Sequence, residues 1–307
     1  MSTIVIGVDA SSRSKDAIAL GRRLATVSKA HVVVASAFPY SDLPSRASNS
    51  AYRAALRDDA SEVASDMSEL LEGIPADRVL RRVMAEPSPA HGLHDLAHAD
   101  RAAVIVVGSS HTGHLGRVLP GSTGERLLHG SPCAVAVAPL GYADSAGTPI
   151  RKIGVAYNGS DEAKAAVAAA VALARAFDAE LEITGVVASE AYTEPVTTSG
   201  PDIVELRGDF ERHVQESLDA VVAGLPEGIK ATTKRLTGDP AELLAQRSGD
   251  VDLMVAGSRG YGPLHSVLVG GVSGRLIRTA QCPTIIVPRG VESSLDALFA
   301  DATAATV

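Results

Sequence analysis

Short apolar runs alternate with amphipathic stretches along the chain, and the whole alternation occurs twice. Thr3 to Val8 reads as a strand, and Ala17, Leu20, Leu24 and Val27 then recur at helical spacing. Ser11 or Ser12 is placed to cap that helix. His31 to Ala37 is a second strand, ended by Phe38-Pro39. A polar loop from Tyr40 to about Ser50 leads into a long helix with Leu56, Ala60, Val63, Met67 and Leu70 on one face. Val79 to Met84 reads as a strand, Ala90 to Ala99 as a helix, Val104 to Val107 as strand four and Cys133 to Ala138 as strand five. The second half repeats the order, with strands at Ile153 to Tyr157, Leu181 to Val187, Lys230 to Leu236, Leu253 to Ala256 and Thr284 to Val287. Its long helix carries Phe210, Val214, Leu218, Val221 and Leu225 on one face.

Matching positions of the halves stand 149 residues apart (257 − 108): Gly108 with Gly257, Gly121 with Gly270, Cys133 with Cys282, and Asp9 with Asn158. That constant offset over a whole domain is a tandem duplication and not a short solenoid repeat. The expected division is a first domain at 1–141, a Gly-, Asp- and Pro-containing linker at 142–149, a second domain at 150–290 and a tail at 291–307. The tail is expected to be largely disordered, with one helical turn at Leu295 to Phe299. Strands alternating with helices predict an α/β fold, here two doubly wound five-stranded parallel sheets in tandem. Ligands of such sheets bind at the C-terminal strand ends, where strand order reverses. If strands one and four are neighbours, Asp9 and the loop after Val107 frame one crevice, and Asn158 and Gly257 frame another.

The candidate chemistry lies in those two loops. One runs Gly108-Ser109-Ser110-His111, nine residues, then Gly121-Ser122-Thr123-Gly124. The other runs Gly257-Ser258-Arg259-Gly260, nine residues, then Gly270-Gly271-Val272-Ser273. A strand, a glycine-rich loop and a helix start form an anion cradle, because free N–H groups converge where glycine lets a ligand approach. Neither loop has the Lys-Ser/Thr pair of a P-loop. Ser122 and Glu125 also fit a capping box, which needs no ligand. Arg126 and Arg275 match across the halves; a solvated helix face is the favoured reading over a phosphate contact.

Composition narrows the function. A formal net charge of −8 over 307 residues argues against a nucleic-acid backbone as partner. Aromatic residues make up only 3%, so Val, Leu, Ile and Ala must fill the core, as suits helices on a parallel sheet. The first residues lack the pattern of a signal peptide, and Ala165 to Ala174 is too short to span a bilayer, so a soluble, cytoplasmic protein with no membrane partner is expected. Cys133 and Cys282 open matching strands and read as buried thiols. His91, His94 and His98 share a helix face, but no carboxylate or cysteine completes an obvious metal set, and no metal site is expected. No hydrolase elbow or zinc-protease helix occurs, and neither loop carries a lysine, so holding a nucleotide without efficient hydrolysis is the chemistry expected.

The strand end Val8-Asp9-Ala10-Ser11 and the Gly-x2-Gly-x9-Gly-Ser/Thr loop resemble the universal stress protein family. The likeness covers both halves, and the arrangement is similar to that of its two-domain members of actinobacterial type. This resemblance implies strand order 3-2-1-4-5 and a bound ATP, with or without Mg²⁺. Carried over to this chain, it assigns Asp9, Ala37, Gly108, Gly121 and Ser122 to the first site. It assigns Val186, Gly257, Gly260, Gly270 and Ser273 to the second, with Asn158 where the aspartate would stand. His111, Asn158 and Gly271 depart from the pattern. The family likeness also implies pairing of domains through their fifth strands, once within this chain, and a homodimer of such chains. The function so implied is a regulatory holder of adenine nucleotide. Its rival is a member that has lost nucleotide binding and acts as a dimerising interaction module.

Overall fold

Ile4, Val5 and Ile6 are wholly shielded from solvent. Three consecutive buried apolar residues mark a strand covered on both faces, as a parallel sheet between helix layers requires. The computed structural model describes residues 2–40, 50–109, 123–128, 130–188, 201–258, 271–290 and 295–299, with the backbone alone for 201–207.

In the first half, strands β1 (Thr3–Val8), β2 (His31–Phe38), β3 (Val79–Ala85), β4 (Val104–Gly108) and β5 (Ala134–Ala138) alternate with helices α1 (Arg13–Ser28), α2 (Ser50–Glu69), α3 (Pro89–Ala99) and α4 (Thr123–Leu127). After β5 comes a short helix α5 (Tyr142–Ser145). The second half places β6 (Lys152–Tyr157), β7 (Glu180–Ala188), β8 (Ala231–Gly238), β9 (Leu253–Ser258) and β10 (Thr284–Pro288) among α6 (Asp161–Phe177), α7 (Pro201–Ala223), α8 (Pro240–Arg247) and α9 (Val272–Thr279).

Among the described residues ten strands form one sheet, ordered β3-β2-β1-β4-β5-β10-β9-β6-β7-β8. Each half therefore has the expected order 3-2-1-4-5, and β1–β4 and β6–β9 are parallel neighbours. The halves meet where β5 and β10 run antiparallel, Ala136 facing Ile285. Alternation along each strand divides the core in two. Ile4 and Ile6 join a core with residues of α1 and α6, while Val5 joins the opposite one with residues of α3, α8 and α9. Each core holds buried residues from both halves. The duplication reaches backbone detail: Lys29 and Asp178, matching residues, end α1 and α6 with left-handed φ of 55° and 53°.

Several sequence expectations are corrected. Neither Ser11 nor Ser12 caps α1 through its side chain: Ser12 is the N-cap but makes no side-chain cap bond, and Ser11 turns its hydroxyl to Asp9. In half two the matching Ser160 does cap, accepting the Ala163 N–H at 3.2 Å. Leu70 lies beyond the end of α2 and is exposed, and the buried positions of that helix are Ala60 and Ala64. Phe210 is likewise exposed on α7, where Leu218 is the fully buried member of the predicted face. In the tail the expected turn at Leu295 to Phe299 is present, and its Leu295, Leu298 and Phe299 are buried against the core that α1 and α6 share; the other tail residues from 291 to 294 and from 300 on lie outside the described residues. Tyr142 of α5 is buried on the same side and accepts a hydrogen bond from Arg23 at 3.0 Å. Among the described residues no helix is long and apolar enough to cross a membrane.

Candidate functional site

Asp9 ends β1, and its carboxylate organises the turn into α1. Oδ1 accepts the Ser11 N–H at 2.9 Å and the Ser11 hydroxyl. Ser14 accepts the Asp9 N–H at 2.8 Å through its hydroxyl oxygen. Burial pushes this carboxyl up, but the bonds from Ser11 and Ser14 and the Arg13 charge outweigh it and hold it below its ordinary range. Asp9 is therefore an anion at neutral pH. In half two, Asn158 closes the same turn, accepting the Ser160 N–H at 3.2 Å, without the charge.

Beside each turn lies a cavity at the C-terminal ends of the strands. The first, about 270 Å³, is lined by Asp9, Arg13, Ala35, Ala37, Met84 and Gly108, among others. The second, about 350 Å³, has Asn158, Glu162, Thr184, Val186, Gly257 and Ser273 in its wall. Of the residues expected at the sites, the structure thus brings together Asp9, Ala37 and Gly108 in one crevice, and Asn158, Val186, Gly257 and Ser273 in the other. Gly121, Ser122, Gly260 and Gly270, with His111, lie outside the described residues.

The first glycine of each loop has a packing role that sequence reasoning missed. A Cβ on Gly108 would stand 2.4 Å from the Arg13 carbonyl oxygen, and one on Gly257 2.4 Å from that of Glu162. Each glycine lets the first turn of α1 or α6 lean onto the end of the fourth strand and close the crevice wall. Ser273 donates its hydroxyl to the Gly257 carbonyl at 3.0 Å, so it also ties α9 to β9. The matching arginines grip a neighbouring helix start: Arg275 pairs with Asp239 at 2.7 Å, and Arg126 reaches Ser88 at 3.4 Å. Asp239 and Ser88 are the N-cap residues of α8 and α3.

Among the lining residues that the sequence reading missed are Arg13, Glu162 and Thr184. Arg13 and Glu162 match at the offset of 149 residues, so one crevice has a cation where the other has an anion. Burial of Glu162 is answered by Arg289, whose Nε lies 2.5 Å from its Oε1. Comparing the halves position by position through the second strand and into the helix starts would have exposed the differences Ala35/Thr184 and Arg13/Glu162.

The model of the universal stress protein family matches residues 1–139 and again 149–288. The chain belongs to the universal stress protein family. Among similar members, universal stress protein Rv2005c of Mycobacterium tuberculosis is 29% identical over 301 residues, covering 92% of this chain and 96% of that one. Universal stress protein YxiE of Bacillus subtilis is 32% identical over 144 residues, which is 44% of this chain and 97% of that protein, so it matches a single half. A crystal structure of a universal stress protein from Archaeoglobus fulgidus superposes with a TM-score of 0.64 at 20% identity, covering 94% of this chain and 96% of that one, and supports the tandem fold. Within this universal stress protein, the two crevices are the places where the duplicated unit keeps its polar strand ends.

Proposed function

We propose that this universal stress protein is a cytoplasmic, regulatory holder of adenine nucleotide, ATP with or without Mg²⁺, that hydrolyses it little or not at all. The observation that carries the reading is the cavity at each C-terminal strand end, walled by a strand-one Asp or Asn and by the glycine after strand four. Such a crevice is where doubly wound sheets take their ligands. The residues present fit the ligand: ionised Asp9 offers an acceptor for ribose hydroxyls, Arg13 a cation for phosphate, and Ala37 and Val186 an apolar wall for a base. Neither loop carries a lysine to neutralise a terminal phosphate, and both acidic lining residues, Asp9 and Glu162, already have partners. That supports holding over hydrolysis. Occupancy would regulate by favouring one conformation or assembly, such as a homodimer, through differential affinity.

The rival reading, a dimerising interaction module without nucleotide, is favoured by one observation. Gly108 and Gly257 are required by the close approach of α1 and α6 whether or not a ligand binds. Calorimetric titration of ATP with Mg²⁺ into nucleotide-free protein separates the two. Ala37→Trp and Val186→Trp would each fill one crevice. Loss of heat in one variant locates the nucleotide, and partial loss in each means two sites. Silence in the unmodified protein, repeated with AMP and cyclic AMP, would leave the interaction module.

A further inference from the structure

Thr184 is 2% exposed, in the centre of β7, and it lines the half-two crevice. Among the described residues its hydroxyl has no hydrogen-bond partner. Two other threonines of the sheet have partners: Thr284, 1% exposed, donates to the Cys282 carbonyl at 3.4 Å, and Thr232 to the Leu181 carbonyl at 3.4 Å. A buried hydroxyl without a partner is costly, and its presence beside a cavity points to something that enters the cavity.

The direction of the side chain follows from strand alternation. Thr184, Val186 and Ala188 share one face of β7 and all line this cavity, while Leu181 and Ile183 enter the core on the opposite face. Pro240 and Leu244 of α8 line the same cavity. The matching residue of half one is Ala35, whose crevice also has Met84 and Leu93 in its lining. At this position the half-two crevice has a hydroxyl and a methyl that the half-one crevice lacks.

Sheet order places that hydroxyl at one end of the crevice. Gly257 and Ser273 lie at β9, Asn158 at the central β6, and Thr184 at β7. Two strand spacings, about 10 Å, separate the ends. The N–H groups at the start of α9 suit phosphate at the first end, where the neighbouring Glu162 carboxylate is already paired with Arg289. Pro240, Leu244 and Val186 form an apolar slot at the second, suited to a planar ring with a polar edge.

We propose that Thr184 is a specificity-determining residue of the half-two crevice, its hydroxyl hydrogen-bonding the edge of a purine nucleotide's base, a contact that half one, with Ala35, does not make. This rests on the nucleotide-holding reading above. A hydroxyl both donates and accepts, so it serves either kind of ring edge.

The test is titration of ATP with Mg²⁺ into Ala37→Trp protein, in which the half-one crevice is filled, and into the same protein carrying Thr184→Val or Thr184→Ser. Valine keeps the shape and removes the hydroxyl. The expected result is affinity about three- to tenfold weaker for Thr184→Val, the value of one hydrogen bond, and within about twofold of the parent for Thr184→Ser. The melting temperature of nucleotide-free Thr184→Val should not fall, since no protein bond is lost. Equal affinity of parent and Thr184→Val overturns the inference and leaves the nucleotide reading standing. Equal weakening by valine and serine overturns it too, because shape would then be responsible. A parent with no affinity for ATP, in a chain whose Val186→Trp variant also binds none, overturns both.

Discussion

Ala136 and Ile285 face each other in the antiparallel seam between β5 and β10, and they are the same position of the duplicated unit, 149 residues apart. A local two-fold axis therefore passes between them. Both are completely buried, a small residue against a large one. The seam pairs one edge strand of each half, β5 with β10, and merges two sheets into one whose outer strands are β3 and β8. Ile285→Ala should destabilise the protein by about 2–5 kcal/mol. The cores are continuous across the seam, so both halves should unfold in one urea transition, followed by circular dichroism; two separate transitions would contradict this.

Gly108→Ala and Gly257→Ala should each be destabilising, because the added Cβ would stand 2.4 Å from a backbone carbonyl oxygen that cannot rotate away. A loss of about 1–3 kcal/mol is expected, with weaker nucleotide binding in the same half as the helix is pushed off the crevice. Gly124→Ala is the control, since its Cβ would meet only side-chain methyls of Val107 and Val137 at 3.5 Å. Thermal melts of the three variants decide it.

Glu182 is buried in β7 and held by Lys152 at 2.8 Å and Arg247 at 2.6 Å. Burial pushes its carboxyl up, and the bonds from Lys152 and Arg247 more than reverse that, leaving it below its ordinary 4.5. A depressed carboxyl stabilises fully above the unfolded value and loses the effect as pH falls through the folded one. Glu182→Gln should cost about 3 kcal/mol at pH 7, the low end for a broken buried pair, because Lys152 and Arg247 keep 29% and 20% exposure. The difference in urea midpoint between variant and parent should shrink as pH drops below 4.5.

Cys133 and Cys282 are buried, and burial pushes both thiols up to about 12. Neither should react with a disulfide reagent at pH 8 in the folded protein, and both should react once denaturant is added. Rapid reaction of either thiol under native conditions would mean that its strand opens locally.

Phe299 is 2% exposed, packed with Leu295 and Leu298 on the core behind α6. Phe299→Ala should lower stability by about 3–5 kcal/mol, measured by urea unfolding. A neutral result would mean that the packing of this turn contributes nothing to the stability of the fold.

The order of strands and helices was legible because periodicity is local: Ile4 to Ile6 and Val104 to Val107 announce double-sided burial, and Ala17, Leu20 and Leu24 a helix face. The duplication was legible because matching positions keep one offset, and with the order came the placement of Asp9, Asn158, Gly108 and Gly257 at two strand ends. What each residue touches was not legible. The carbonyls of Arg13 and Glu162 that make Gly108 and Gly257 necessary, the Asp239 that takes Arg275, and the solitary hydroxyl of Thr184 all depend on chain segments tens of residues away. Hydrophobic pattern states which face of an element is covered, because burial is non-directional. Which atom meets which is set by close packing and hydrogen-bond geometry between distant segments, and only the tertiary structure decides that.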